Sequence, residues 1–366
     1  MSLEASTTPD TTSSPDTITA TGPIVVAGTD LLGALTAIRG ELGDPHLPSL
    51  PLLPDRGPGA DAAGRAAALL EELPVEIGPH GWRVSARPGE DLRRSRSLLA
   101  SDVNVLADLA GAEQIPATRI GVTVLGPVTL ASVLDLPGGE RVLSDHGARR
   151  DLADSLAAGL AAHLAALRTA LPGATVTLRI DEPALDAVLA GTVATASGYR
   201  TLRALDRAEV RQTLRQAVEA ARGSGTADVV LAVEPAPLPL SLAREAEADA
   251  LAVPASALRT APDALGEYLD DGGALTVGLE TTAVDRRGTR GLREVSDLAG
   301  QVLDPWQRLG LPVTRLPQLT VTTRMPAGAL TGTRAPAGAP DAGRLPALLR
   351  RLVATADALE TTARDA

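Results

Sequence analysis

Eight short apolar runs recur along this chain at 23–28, 75–85, 120–125, 175–180, 228–235, 248–255, 274–282 and 319–323, with helical patterns in the gaps. Strands that alternate with helices and lack hairpin signals belong to parallel sheets. Such strands are covered on both faces and read as near-continuous apolar segments. Eight of them predict closure, so the expected fold is α/β, a single (β/α)8 TIM barrel. A length of 366 residues suits that fold. Helix signals agree. Leu31, Leu32, Leu35 and Ile38 share one face behind Thr29 or Asp30 as cap. Leucines at 152, 156, 160, 164, 167 and 171 stripe a long helix that begins after Ser144 and Asp145.

Residues 1–22 are rich in Ser, Thr, Pro and Asp, which predicts a disordered tail; residues 23–366 then form the barrel domain. The proline-dense stretch 45–58 reads as an extended loop, and the Ala/Pro/Gly segment 326–343 as a loop over the barrel mouth. No apolar run approaches the ~18 residues of a membrane span. The first six residues lack the basic and apolar regions of an export signal, so a cytoplasmic protein is expected.

Composition narrows the chemistry. A net charge of −11 argues against a nucleic-acid partner, and two Trp, two Tyr and no Phe leave no platform for stacking bases. The chain has no lysine, which excludes Schiff-base catalysis. It has no cysteine, which excludes disulfides, thiol nucleophiles and thiolate metal sites.

In a barrel the chemistry lies where strands exit toward their C-terminal ends. The run 175–180, with Arg179 its only charged member, leads into Asp181 and Glu182, and Pro183 stops it. Other exits carry Gly126 to Thr129, Glu234, Glu280 and Met325. Acids at three exits predict an acidic mouth suited to an amine-bearing or cationic ligand, or to a hard cation. The expected substrate-binding residues are Asp181, Glu182, Thr129, Glu234 and Glu280. A blander reading makes Asp181 the cap of the next short helix. His80 is the only histidine near a strand end, and His163 flanks the leucine stripe. Trp82 and Trp306 read as packing residues, and the arginines of 286–293 as solvated surface.

The run Ile180 to Leu185, reading IDEPAL, resembles the DEPAL motif of the catalytic domain of cobalamin-independent methionine synthases. Gly126 to Leu130, reading GPVTL, is similar to that family's GPVT strand end at the expected distance upstream. Stretches like 47–65 and 195–199 occur in its short actinobacterial-type members, so the resemblance covers most of the chain after residue 22. It implies a barrel of the UROD/MetE-like superfamily that activates homocysteine on zinc and methylates it from a folate-type donor. It also implies that Asp181 contacts the amino-acid part of the substrate. The family's zinc ligands are a His-x-Cys on the fifth strand, a Glu on the sixth and a Cys near the eighth. Here those places fall on Leu231 to Glu234, on Val253 or Pro254, and on Met325 or nearby. The early IGS strand end is likewise replaced, by Val25 to Gly28. No metal ligand and no cofactor is therefore predicted from the residues, although the family implies zinc.

The resulting expectation is a methionine-synthase-type methyltransferase with a missing zinc site, whose ligands are an amino acid or thiol and a methyl donor. A second reading is an amino-acid-binding barrel with a non-catalytic or regulatory role. A third is a glycoside hydrolase using Glu182 and Glu280, which would stand ~5–5.5 Å apart in a retaining enzyme. A fourth is a uroporphyrinogen-decarboxylase type with Arg56, Arg65 and Arg324 at the mouth.

Overall fold

The computed structural model describes residues 17–112, 118–233, 240–259, 262–284, 290–326 and 328–365. Seven parallel strands form one sheet in the order β1-β11-β8-β7-β6-β5-β4. They are β1 (Thr19–Ala20), β4 (Arg119–Leu125), β5 (Thr175–Glu182), β6 (Asp228–Val233), β7 (Ala250–Pro254), β8 (Ala274–Leu279) and β11 (Leu319–Thr323). The remaining four strands make two antiparallel hairpins, β2 (Val75–Gly78) with β3 (Gly81–Val84) and β9 (Thr282–Val284) with β10 (Arg290–Leu292).

Among the described residues the sheet has seven parallel strands, and the eighth expected from the sequence is not shown. The second apolar run, 75–85, folds back on itself as β2–β3, because Gly78-Pro79-His80-Gly81 is a tight turn with Gly81 at φ +129°. His80 stands exposed in that turn, off the sheet. In place of a second strand, the proline-rich segment 47–52 reaches both sheet edges. Leu47 N donates to Ala20 O (2.9 Å) and Leu52 N to Ile24 O (2.7 Å), while Leu50 N and Pro48 O bond Gly121. Pro48 and Pro51 have no N–H, so these contacts stay isolated bridges and never become a ladder.

The first strand is also displaced. It lies at Thr19–Ala20, inside the stretch read as tail, and Ile18 and Ala20 are buried there. Residues 1–16 lie outside the described residues. The run 23–28 contributes only bridges, at Val25 and Ala27.

Helices pack on the outer face. They are α1 (Leu31–Glu41), α2 (Ala62–Leu69), α3 (Glu90–Ala112), α4 (Pro127–Val133), α5 (His146–Ala170), α6 (Leu185–Ala190), α7 (Arg207–Gly223), α8 (Leu240–Glu245), α9 (Pro262–Asp270), α10 (Val295–Arg308) and α11 (Leu345–Arg364). Asp30 caps α1 by accepting from Gly33 N, and Asp145 caps α5 by accepting from Ala148 N. The stripe Leu152, Leu156, Leu160, Leu164 and Leu167 is buried, as its period requires. Trp306 is buried too, with its Nε1 donating to Pro312 O (3.1 Å). No helix among the described residues is long and apolar enough to cross a membrane.

Gly159 marks where α5 meets α2. A Cβ at that position would overlap the Leu69 carbonyl oxygen. The clash is with backbone, so no rotamer change relieves it. Gly159→Ala is expected to destabilise the fold by roughly 3 kcal/mol, although alanine is the better helix former. Urea denaturation checks this; an unchanged midpoint means the two helices are free to separate.

The inner face of the sheet is unusual for this architecture. Barrel interiors are ordinarily filled by bulky branched side chains. Here Val230, Ala232, Ala250 and Ala252 form a small cluster of their own, joined by Ala274. Small side chains leave space at the C-terminal ends of the strands.

Candidate functional site

That space is a cavity of about 450 Å³ over the ends of β5, β6, β7, β8 and β11. Side chains alternate along β5, so Arg179 and Asp181 face the cavity while Leu178, Ile180 and Glu182 face the helices. Arg179 and Asp181 form a two-pronged pair. Nε lies 3.1 and 3.0 Å from the two carboxylate oxygens, and Nη2 lies 2.9 Å from Oδ1. Burial raises the Asp181 pKa, and the Arg179 guanidinium pulls it back down. Asp181 does not cap the following helix; the N-cap of α6 is Ala184, with no side-chain bond.

Glu182 takes the opposite side of the strand and a different role. Its Oε1 accepts from Val128 N (2.9 Å) and its Oε2 from Thr129 N (2.6 Å), at the start of α4. Proline at the first helical position needs no partner for a missing N–H, and the next two N–H groups find theirs in Glu182. A side chain at Gly126 would overlap the Glu182 carboxylate, so glycine is required for this approach. The Thr129 hydroxyl accepts from Ala184 N (3.1 Å), which ties the turn after β5 to the same helix. Burial pushes the Glu182 pKa up to about 7, against the opposing pull of the Thr129 and Val128 bonds. The GPVT and DEP segments are thus one structural clasp, and neither Glu182 nor Thr129 lines the cavity.

Glu280 lies past the end of β8, half-exposed and ion-paired with Arg324. It borders a neighbouring cavity and not the one holding Asp181. Glu234 lies outside the described residues. Of the five residues expected at the substrate, Asp181 alone is placed in the central cavity among those described, and Arg179 joins it. Arg179 was visible in the sequence as the one charge in an apolar strand, and its even spacing from Asp181 was the signal to use.

The alternative constellations do not converge. Glu182 and Glu280 share no cavity, so they do not flank a glycosidic bond. Arg56 and Arg65 both bond Asp102 in the interior between helices, away from the mouth; Arg324 alone of the three is at the cavity. His163 lies near Arg65, and burial followed by that charge holds its pKa down to about 4, so it stays neutral. The expected loop over the mouth does form a wall: Pro326, Gly328, Ala329 and Leu330 line the central cavity.

Apart from Glu234, which lies outside the described residues, the places that would carry zinc ligands are apolar walls. Ala232, Val233, Val253, Pro254 and Met325 line the cavity, and only the Met325 thioether among them has a donor side-chain atom, a poor one for zinc. Among the described residues no three His, Cys, Asp or Glu side chains are grouped to hold a metal. The described residues do not fit zinc.

No protein-family model matches the chain, and no curated protein matches it significantly. Among solved structures it is weakly similar to a methyltransferase from Methanosarcina mazei, 13% identical over 96% of this chain and 94% of the other, with a TM-score of 0.46. A B12-independent methionine synthase from Shewanella sp. W3-18-1 in complex with selenomethionine is 14% identical over 78% of this chain and 72% of its own, with a TM-score of 0.45. An oxaloacetate acetylhydrolase in complex with the product oxalate is 12% identical over 96% of this chain and 93% of its own, with a TM-score of 0.34. At these identities and scores the likeness carries no statement about chemistry.

Proposed function

We propose that this protein is a methionine-synthase-like barrel that binds a small α-amino acid in its central cavity and does not use the zinc-thiolate route. The observation that carries this reading is the Arg179–Asp181 pair at the cavity floor. An α-amino acid presents a carboxylate and an ammonium two bonds apart. A guanidinium and a carboxylate side by side on one strand are complementary to both. Asp181 Oδ2 accepts a single bond from Arg179 and keeps a second lone pair for the ammonium. The Arg179 Nη1 group, with no bond to a described residue, is available for the ligand carboxylate. The walls of Ala232, Val233, Val253, Met325 and Leu330 suit an apolar or thioether side chain. The IDEPAL and GPVTL resemblance supports the same ligand class. Without a metal to lower its pKa, a bound thiol is not activated for methyl transfer.

Calorimetry with methionine and homocysteine tests the proposal, together with elemental analysis of protein purified without chelators. Binding is expected for both amino acids, and about 10- to 100-fold weaker binding for the deaminated acid, which gives Asp181 Oδ2 no ammonium to accept from. No stoichiometric zinc is expected. One zinc per chain, together with methyl transfer to homocysteine, sinks the proposal.

A further inference from the structure

A second cavity of about 600 Å³ lies beside the central one, and Thr323 to Pro326 form the ridge between them. Its size is that of a small-molecule site. Its walls are mainly apolar: Ile24, Val25, Leu292, Pro336, Pro340 and Leu348. The charged groups that reach it are three arginines, Arg290, Arg324 and Arg344, and one carboxylate, Glu280.

Two of those arginines are engaged. Arg324 pairs with Glu280, and the Arg344 Nε stands 3.8 Å from Asp341. Arg290, at the start of β10, has no ion-pair partner among the described residues. Its guanidinium reaches to Gly338, where a Cβ would overlap Nη1. Gly338 also has φ +91°, a conformation that suits only glycine without strain. The turn is thus shaped to admit the guanidinium. One surplus cation over apolar walls matches a monoanion with an apolar body; a phosphate dianion would want more than one free guanidinium.

We propose that this cavity binds a monocarboxylate with an apolar or aromatic body, its carboxylate held by Arg290 and its body against the proline and leucine walls. The site stands apart from the amino-acid reading of the central cavity and does not depend on it.

Calorimetric titration with 2-naphthoate tests the proposal, alongside the neutral 2-naphthalenemethanol. Wild type is expected to bind 2-naphthoate saturably. Arg290→Met, which keeps the apolar stem, is expected to weaken it by at least about tenfold, since a charge-assisted pair is lost. The neutral probe should bind wild type no better than 2-naphthoate binds this variant. Arg290 is exposed, so its variant should keep the wild-type unfolding temperature, which confirms that the fold is intact. Absence of saturable binding to wild type, or equal affinity in Arg290→Met, overturns the proposal.

Discussion

Replacing Asp181 with alanine is expected to cost about 3 kcal/mol of folding stability and to abolish amino-acid binding in the central cavity. The loss comes less from the bond itself than from what is left behind. Arg179 cannot be deprotonated, and with its side chain only 19% exposed it would keep an uncompensated charge over alanine walls. That residual exposure places the cost at the lower end of the range for broken buried pairs. The double variant Arg179→Met with Asp181→Leu removes both charges and should recover most of the stability while still binding no amino acid. Urea denaturation of Arg179→Met, of Asp181→Leu and of the double, with calorimetry on each, separates the roles. Additive costs would show that the pair is uncoupled and that the cavity floor is not built as described.

Glu182→Ala is the second large effect, about 4 kcal/mol. Two backbone N–H groups of α4 lose their acceptor in a dry interior, at ~1–3 kcal/mol each, and a void opens beside Gly126. Ligand affinity per folded molecule should change little, since Glu182 does not line the cavity. The pH dependence gives an independent check. The folded-state pKa is raised from 4.5 to about 7, so the folded form holds a proton that the unfolded chain has released. Stability from this group is full below pH 4.5 and falls as pH rises toward about 7. Glu182→Gln cannot ionise and should lack that decline. Parallel stability–pH curves for wild type and Glu182→Gln would show that burial does not raise this carboxyl.

Much of the architecture was legible in the residues. The runs at 120–125, 175–180 and 319–323 are strands, and the 152–167 leucine stripe is a buried helix face. Period and turn chemistry are local, and they survive into the fold. The departures have local physics as well. Gly78-Pro79-His80-Gly81 is a hairpin turn, and the β-branched alternation Thr17-Ile18-Thr19 was hidden in a polar tail. Two prolines kept 47–52 from reading as sheet, although it bridges both edges.

The site was less legible. The adjacent acids Asp181 and Glu182 look equivalent in sequence. A strand separates them completely, one toward the central cavity and one toward helix, because side chains alternate across a sheet. The Arg290 site had no signal at all, since its parts come from β10, the 336–340 turn and the ridge after β11. What the sequence alone determined is the strand–helix alternation and the chemistry the chain lacks, with no cysteine, no lysine and no family zinc ligand, because those depend on residue identity and short spacing. Which charges meet, which face a cavity and which are spent holding a helix was decided only by tertiary structure, because hydrogen-bond geometry and burial join residues tens to hundreds of positions apart.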